Sequence, residues 1–416
     1  MMCFSDFPIP DDYPNYMHNS KILDYFRMYA KHFDLLKYIH FKVLRITKFK
    51  GGYFHSRDYK SPDEFTGKRV IVVGIGNSGG DLAVEISRKA KQVFLSTRRG
   101  AWIINRVGDE GYPADVVLSS RYYVFLKQFF TNSMINNWVE KKLNARFNHS
   151  HYGLKPKHRF FSQHPTVNDD LPNCIISGKV LIKPNVTEFT ETAAIFEDGS
   201  KEEDIDFVVF ATGYSFSFPF LGNCVKVIEN DITLYKYVFP PHLEKPTLAI
   251  IGLVQPLGAI MPIAELQARW ATRVFKGDAK LPSICEMMSD ITMKKAEMAR
   301  RYVKSQRHTI QVDYIEYMDE VASLVGVKPN IWSLLLTDPK LAWEVMFGPC
   351  TPYQYRLQGP GKWDEARKAI LTQHDRILKP LKTRPTDESH AMMPPWFKLV
   401  GLAVLLAAFF THFLSA

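Results

Sequence analysis

GKRVIVVGIGNSGGD, residues 67–81, is the stretch of the chain that decides its fold. The β-branched run Val70–Val73 is bounded by glycine and predicts a strand buried on both faces of a parallel sheet. A glycine-rich turn, an apolar helical pattern and a second strand at residues 93–96 follow it. Strand, turn, helix and strand within about 30 residues predict a βαβ unit, and therefore an α/β fold with a Rossmann-like domain.

The glycine-rich turn carries a G-x-G-x-x-G motif. Its first glycine permits a tight turn, the second lets a pyrophosphate approach the backbone, and the third lets the helix pack against the strand. Amides from Ser78 to Asp81 would open the helix toward the phosphates. Because the motif lies between a strand and a helix, it predicts a dinucleotide site rather than a structural glycine turn. The predicted phosphate-binding residues are Gly74, Gly76, Asn77, Ser78, Gly79, Gly80 and Asp81.

The end of the second strand indicates which dinucleotide is bound. NAD sites carry a carboxylate there, about 20 residues after the glycines, for the ribose hydroxyls. This chain has Ser96-Thr-Arg98-Arg99 instead. Since guanidinium groups match the geometry of phosphate, Arg98 and Arg99 favour NADP(H) over NAD(H), the alternative being a solvated basic pair.

Length and net charge limit the number of lobes and the classes of partner that the chain can have. A chain of 416 residues exceeds one hydrophobic core, so two or more lobes are expected. The net charge of +10 is compatible with nucleic acid, an anionic membrane or a phosphorylated cofactor. The basic residues form no stripe with interleaved aromatics, so no nucleic-acid partner is predicted. The five cysteines have no C-x-x-C spacing, and neither a disulfide framework nor a metal site is predicted.

A nicotinamide carries a hydride but does not activate oxygen, so a second redox centre is a possibility. Tyr123 and Lys127 have the Y-x-x-x-K spacing of short-chain reductases. They follow the glycine motif too closely for that class, and we interpret the spacing as chance.

The C-terminus predicts a membrane anchor at residues 396–416. Leu399–Phe410 is apolar throughout and follows Pro-Pro-Trp396. Its length is barely enough to cross a bilayer, so spanning and lying in one leaflet are both left open, with a buried soluble helix as the alternative. The cations Lys379, Lys382 and Arg384 precede the run, which predicts that the body faces the cytosol.

Three further motifs carry a resemblance to a known family. Residues 49–59 contain F-x-G-x-x-x-H-x-x-x-Y, residues 210–214 are Phe-Ala-Thr-Gly-Tyr, and residues 252–258 are Gly-Leu-Val-Gln-Pro-Leu-Gly. Together with the glycine motif and the apolar C-terminus, they resemble the flavin-containing monooxygenases. The similarity is greatest to the vertebrate microsomal enzymes, form five in particular.

The resemblance implies FAD and NADP(H) as cofactors and an endoplasmic-reticulum membrane location. It implies insertion of one oxygen atom of O2 into small lipophilic substrates, through a C4a-hydroperoxyflavin. The substrates would be soft nitrogen or sulfur nucleophiles, or ketones in a Baeyer–Villiger reaction. Gln255 is expected near the flavin, with a plain loop role as the alternative. The family leaves the catalytic residues and the oligomeric state of this chain undetermined.

The sequence also departs from the family pattern. No glycine motif for the FAD pyrophosphate precedes Gly51, and the family's active-site Asn would lie upstream of Met1. Only Leu44–Lys48 joins Val43 to Phe49, where the family has a longer stretch. We therefore expect an N-terminally and internally shortened member. The alternatives are a catalytically inactive NADP-binding membrane fragment and, less favoured, a flavin-free reductase.

Together with the NADP-binding motif, the resemblance implies an α/β, two-dinucleotide-binding architecture, with the NADP domain inserted in a partial FAD domain. The predicted parts are an FAD-domain remnant at 1–50, the NADP-binding domain at 51–213 with an insertion near 100–178, the rest of the FAD domain at 214–325, a helical region at 326–395 and the anchor at 396–416. Further strands are expected at 207–210 and 248–251. Helices are expected near 121–146, at 262–276 and across 285–325.

Overall fold

A computed structural model of the chain describes residues 49–384 except 222–223, 229 and 304–308, together with isolated positions between 9 and 28. The predicted anchor at 396–416 and most of residues 1–50 lie outside the described residues. Among the helices that are described, none is both long and apolar enough to cross a membrane. The predicted domain boundaries stay predictions.

The regular elements are numbered in chain order within the described residues. The strands are β1 Gly52–His55, β2 Arg69–Val73, β3 Gln92–Ser96, β4 Ile103–Ile104, β5 Thr166–Val167, β6 Val180–Lys183, β7 Val186–Phe189, β8 Ala194–Phe196, β9 Lys201–Glu202, β10 Phe207–Phe210, β11 Val227–Ile228, β12 Asp231–Ile232, β13 Gln255–Pro256 and β14 Gln311–Val312. The α-helices are α1 Asn77–Ser87, α2 Ala114–Leu118, α3 Arg121–Lys127, α4 Asn132–Arg146, α5 Leu171–Ile176, α6 Ile260–Lys276, α7 Ile284–Arg301, α8 Tyr314–Val325, α9 Ile331–Thr337, α10 Pro339–Phe347, α11 Ala366–Leu371 and α12 Gln373–Leu378.

A five-stranded parallel sheet of order β1-β10-β2-β3-β6 forms the first lobe. Its central strand residues Val70, Ile71 and Val72 are fully buried, as expected of a strand covered on both faces. The strands predicted at 70–73, 93–96 and 207–210 are confirmed. The helix predicted between the first two of them is α1.

Two different layers cover this sheet. Helix α1 packs on one face, where Leu82, Ala83 and Ile86 share a buried cluster with Val70 and Val72. The antiparallel sheet β7-β8-β9 covers the other face. There Phe196 packs with Ile71 and Phe94, which alternate in direction with their neighbours along the strands. The carboxyl ends of β2 and β3 are thereby left at one edge of the sheet, where ligands bind in folds of this kind.

The second lobe is built around helices α6 and α8. Its buried cluster includes Trp270 from α6, Met318 from α8 and the aromatic rings of Tyr235 and Phe239. The helix predicted at 262–276 is confirmed as α6. The prediction of one helical stretch across 285–325 is wrong, because α7 ends at Arg301 and strand β14 precedes α8. Strand β14 pairs in parallel with β13 and so joins the two halves of this lobe.

Two other predictions are corrected. Residues 121–146 form two helices, since the chain turns after α3 and the Thr131 side chain caps α4 by accepting the amide of Met134. Residues 248–251 form no strand in the structure. Within the described residues they have no strand neighbour with which to form a ladder, although the Ile250 amide donates to the Val238 carbonyl at 2.8 Å. Apolar sequence predicts burial, but a strand also requires a partner.

The buried guanidinium of Arg121 joins helix α3 to the C-terminal helices. It donates to the Gln354 side chain at 2.9 Å and to the Tyr355 hydroxyl at 3.1 Å, and it also pairs with Asp319 on α8. The Tyr355 hydroxyl in turn donates to the second Asp319 oxygen at 2.8 Å. Because Arg121 is only 8% exposed, this network fixes the predicted insertion against the second lobe.

Candidate functional site

The glycine turn after β2 has the geometry that its motif requires. Gly74 has a φ of 109°, and a Cβ atom there would lie 2.5 Å from the Ala211 carbonyl oxygen. A Cβ on Gly79 would lie 1.8 Å from the Gly74 carbonyl oxygen, so the close packing of α1 on the turn depends on this glycine. A Cβ on Gly76 would meet no atom within 4 Å. Gly76 therefore faces open space, as needed where a pyrophosphate approaches the backbone.

Helix α1 presents free amides to that space. It begins at Asn77 after Gly76, and no side chain caps its first turn. The Gly80 amide already donates to the Gly76 carbonyl at 2.9 Å. The amides available to an anion are therefore those of Asn77, Ser78 and Gly79, one step earlier along the chain than the predicted set from Ser78 to Asp81.

The side chains of Asn77 and Asp81 contact protein rather than open space. Asn77 Oδ1 accepts the amide of Val167 at 2.8 Å, and Asp81 Oδ1 accepts Nδ2 of Asn168 at 2.8 Å. Burial raises the pKa of Asp81, against the opposing charge of Arg106, whose guanidinium lies 3.6 Å away. These two side chains hold the turn in shape, and their predicted contact with the cofactor stays a prediction.

Residues 164–168, called the strap here, were not found from the sequence. The strap contains β5, and its Thr166 hydroxyl donates to the Ile75 carbonyl inside the glycine turn. At its other end, Nε2 of His164 lies 3.3 Å from the Pro256 carbonyl oxygen in the second lobe. No local spacing could have revealed this contact, because about 90 residues separate the strap from either turn.

Arg98 and Arg99 lie exposed at the carboxyl end of β3, directly after buried Thr97. Within the described residues, no carboxylate forms an ion pair with either guanidinium. Two uncompensated guanidiniums beside a helix N-terminus and an open glycine turn fit the 2′-phosphate and pyrophosphate of NADP(H).

Replacing both Arg98 and Arg99 by alanine is expected to weaken NADPH binding about 100-fold and NADH binding less than about threefold, because charge-assisted hydrogen bonds to the 2′-phosphate are lost. Fluorescence titration of both nucleotides measures the ratio. Lys280→Ala removes an exposed cation from the second lobe and so controls for the loss of positive charge alone. Equal losses for both nucleotides would count against a 2′-phosphate role.

The second glycine turn, at residues 252–258, contains Gln255 in strand β13. The Gln255 amide donates to the Ile310 carbonyl at 2.7 Å, and β13 pairs with β14. Helix α6 begins just beyond the turn, with no side-chain cap at Ala259. Ile251, Leu257 and Ile260 around it are 41%, 36% and 46% exposed. Exposed aliphatic groups beside a free helix N-terminus fit a planar cofactor with anionic groups.

The two remaining motifs meet at the edge of the first sheet. His55 Nε2, in the F-x-G-x-x-x-H-x-x-x-Y motif, lies 3.0 Å from the Gly213 carbonyl oxygen in Phe210-Ala-Thr-Gly-Tyr214. The His55 ring also contacts the Tyr214 ring edge-to-face, with centroids 5.0 Å apart. Since β1 pairs with β10, both motifs end at the same point as the first glycine turn. Three of the four motifs therefore end at the same edge of the first sheet, and the strap connects the fourth, at residues 252–258, to them.

His149 accepts a hydrogen bond from β4, the strand that pairs with β5 of the strap. Protonation of its ring should make the stability of the protein depend on pH. Its Nε2 accepts the Ile103 amide at 3.0 Å, its Nδ1–H donates to Asn144 Oδ1 at 2.9 Å, and the side chain is fully buried. Burial lowers the pKa of His149 to about 4. The ring is neutral when folded, so acidification from about pH 6.5 toward 4 favours the unfolded chain, by up to ~1.4 kcal/mol per pH unit.

Urea unfolding between pH 7.5 and 5 should show this loss of stability. His149→Gln is expected to be less stable at pH 7.5 but to have a shallower pH slope. His151→Gln removes an exposed histidine two residues away and should retain the wild-type slope. The same slope in both variants would rule out His149 as its source.

Comparison with known proteins defines the class. A family model described as FMO-like, flavin-binding monooxygenase-like, matches residues 1–47 and 43–414. Human flavin-containing monooxygenase 5 is 60% identical over 462 aligned positions, covering 99% of this chain and 86% of that protein. The rat N-oxide-forming dimethylaniline monooxygenase 2 is 48% identical, covering 99% and 87%. The crystal structure of OTEMO in complex with FAD and NADP has a TM-score of 0.52 at 16% identity, covering 75% of this chain and 84% of that one.

The chain belongs to the family of flavin-binding monooxygenases. It is a flavin-dependent monooxygenase with FAD and NADP(H) as cofactors and has the two-dinucleotide-binding fold. The internal shortening is also supported, because the alignment with the human protein is longer than the 416 residues of the chain. The family model matches in two segments that meet at residues 43–47, where the shortening was predicted.

Proposed function

We propose that this monooxygenase transfers one oxygen atom from O2 to small lipophilic soft nucleophiles, amines and sulfides foremost, or to ketones. NADPH supplies the two electrons with which the other oxygen atom is reduced to water. The observation that carries the proposal is the strap, whose contacts with Ile75 and Pro256 join the nicotinamide-nucleotide turn to the second glycine turn. The strap therefore connects the two turns in one site, as the transfer of a hydride from a donor at one turn to an acceptor at the other requires. The name of the rat relative, which forms N-oxides, supports nitrogen nucleophiles.

Each part of the site has a distinct task in this proposal. The free amides of α1 and the open face of Gly76 bind the NADP(H) pyrophosphate, and Arg98 and Arg99 select the 2′-phosphate. In the second lobe, Gln255 and the exposed Ile251, Leu257 and Ile260 would lie against the flavin and exclude water from it. The FAD supplies the activation of oxygen when it is bound.

The test is performed on the full chain purified in detergent and incubated with FAD. Absorbance near ~450 nm after gel filtration reports bound flavin, whose spectrum belongs to the cofactor. NADPH oxidation is then followed with and without a tertiary amine, a sulfide and a ketone, and products are identified by mass spectrometry. Flavin-dependent product formation is the expected result. Bound NADPH without flavin or product would instead support the inactive NADP-binding fragment.

We infer further that residues 396–416 anchor the protein in the endoplasmic-reticulum membrane with its body in the cytosol. The apolar run and the preceding Lys379, Lys382 and Arg384 support this orientation. Removing residues 396–416 is expected to move the protein from the membrane pellet to the supernatant after carbonate extraction. Replacing the same residues by an unrelated apolar span should restore pelleting. A truncated chain that still pellets would place membrane attachment elsewhere.

A further inference from the structure

The segment Leu154–His158 runs directly beside the turn that carries Arg98 and Arg99. The Ala101 amide donates to the Leu154 carbonyl at 3.0 Å, and Nε1 of Trp102 donates to the His158 carbonyl at 3.1 Å. Contact is close between these bonds, since a Cβ on Gly100 would lie 2.4 Å from the Leu154 carbonyl oxygen. The two segments are therefore held against each other at both ends.

The side chains of this segment alternate in exposure. Leu154 and Pro156 are buried, whereas Lys155 and Lys157 are exposed. In a non-helical chain with this alternation, the two lysines lie on the same outward face. On the other segment, the Gly100 amide donates to Thr97 Oγ1 at 3.1 Å. That bond closes the intervening Arg98 and Arg99 into a tight turn whose side chains are also outward.

No carboxylate of the described residues is a counter-ion to these four cations. Many lysines and arginines elsewhere in the described chain pair with carboxylates, as Arg159 does with Glu140 at 2.8 Å in the same region. Within the described residues, no ion pair involves Arg98, Arg99, Lys155 or Lys157. Four like charges on adjoining segments repel one another, and a bound anion of two charges would relieve that repulsion.

The neighbouring His158 lies within the electrostatic field of this cationic cluster. Burial, and then the charge of nearby Arg99, lower the pKa of His158, while Glu140 acts in the opposite direction. The effect of Arg99 on His158 is a further sign that the turn of Arg98 and Arg99 lies close to the segment Leu154–His158.

We propose that Lys155 and Lys157 form the second wall of the 2′-phosphate site, opposite Arg98 and Arg99, and that they determine the preference for NADP(H) together with the arginines. The inference rests on the NADP(H) site of the proposed function and extends it to a segment outside the βαβ unit. The phosphate then lies between two cationic segments from distant parts of the chain. Its recognition depends on how the predicted insertion folds back on β3.

The test measures binding of NADP⁺ and NAD⁺ to the full detergent-purified chain by isothermal titration calorimetry. Lys155→Gln with Lys157→Gln is expected to weaken NADP⁺ binding about tenfold and NAD⁺ binding less than about twofold. The affinity of the double variant for NADP⁺ should also depend less on salt concentration than that of the wild-type chain. Lys280→Gln, which removes an exposed charge in the second lobe, should change neither nucleotide's affinity.

Unchanged NADP⁺ affinity in the double variant overturns the inference, and so do equal losses for NADP⁺ and NAD⁺. Loss of binding to phosphatidylserine vesicles with normal NADP⁺ affinity would also overturn it and assign the lysines to a membrane surface. Failure of the monooxygenase assay leaves this result intact, because nucleotide binding is measured without flavin turnover. A wild-type chain that fails to bind NADP⁺ overturns both this inference and the proposed function.

Discussion

Gly79→Ala is expected to destabilise the protein by about 3 kcal/mol and to abolish NADP(H) binding, because the added methyl group would overlap the backbone. Its Cβ would lie 1.8 Å from the Gly74 carbonyl oxygen, and neither α1 nor the turn can move without disturbing β2. Thermal unfolding and nucleotide titration of the purified variant measure the two effects.

Gly76→Ala is the matched comparison in the same turn. Gly76 has a φ of −74°, which alanine adopts freely, and its Cβ would meet no protein atom within 4 Å. We therefore expect wild-type thermal stability but a loss of about 100-fold, or ~2.7 kcal/mol, in NADPH affinity. The methyl group would occupy the space that the pyrophosphate needs. A stable Gly76→Ala protein with normal NADPH affinity would show that the nucleotide binds elsewhere.

Arg121→Ala is expected to cost about 3–5 kcal/mol of stability, because it leaves the Asp319 carboxylate buried without its main cation. Lys328 remains near Asp319, at 3.8 Å, but it is half exposed. Urea unfolding measures the free energy, and limited proteolysis should show new cleavage in α3 and α4, which lose their attachment to the second lobe.

Two variants sharpen this prediction. Lys127→Ala removes a cation from the same helix, one that pairs with Glu316 at 3.4 Å on the surface, and should cost less than about 1 kcal/mol. Arg121→Met combined with Asp319→Asn removes both charges and should recover much of the lost stability. A double variant no more stable than Arg121→Ala would mean that packing, rather than the unpaired charge, accounts for the loss.

The elements that the sequence predicts well depend on neighbours in the sequence. Strand β2, the glycine turn and α1 form one local unit, so spacing and residue type suffice to predict them. The three glycines have the structural environments that the motif implies. Arg98 and Arg99 also lie where the motif places them, because they follow a strand that pairs directly with β2.

What the sequence does not predict depends on partners far along the chain. Residues 248–251 have the composition of a strand, but composition does not specify a pairing neighbour. The strap and the segment Leu154–His158 lie beside the nucleotide turns only because the predicted insertion folds back on the sheet. The predicted set of free amides in α1 begins one residue later than the observed set. The exact start of a helix depends on which carbonyl accepts its first internal hydrogen bond.

The position of β10 has a consequence for how this protein is made. Strand β10 lies between β1 and β2, yet Phe207 leaves the ribosome long after Val73. At a synthesis rate of about 5–20 residues per second, the edge of β2 stays unpaired for on the order of 10 s before β10 is synthesised. During that interval an apolar β-branched edge is open to other nascent chains. Chaperone supply during translation should therefore limit its yield in cells more than the final stability of the folded protein does.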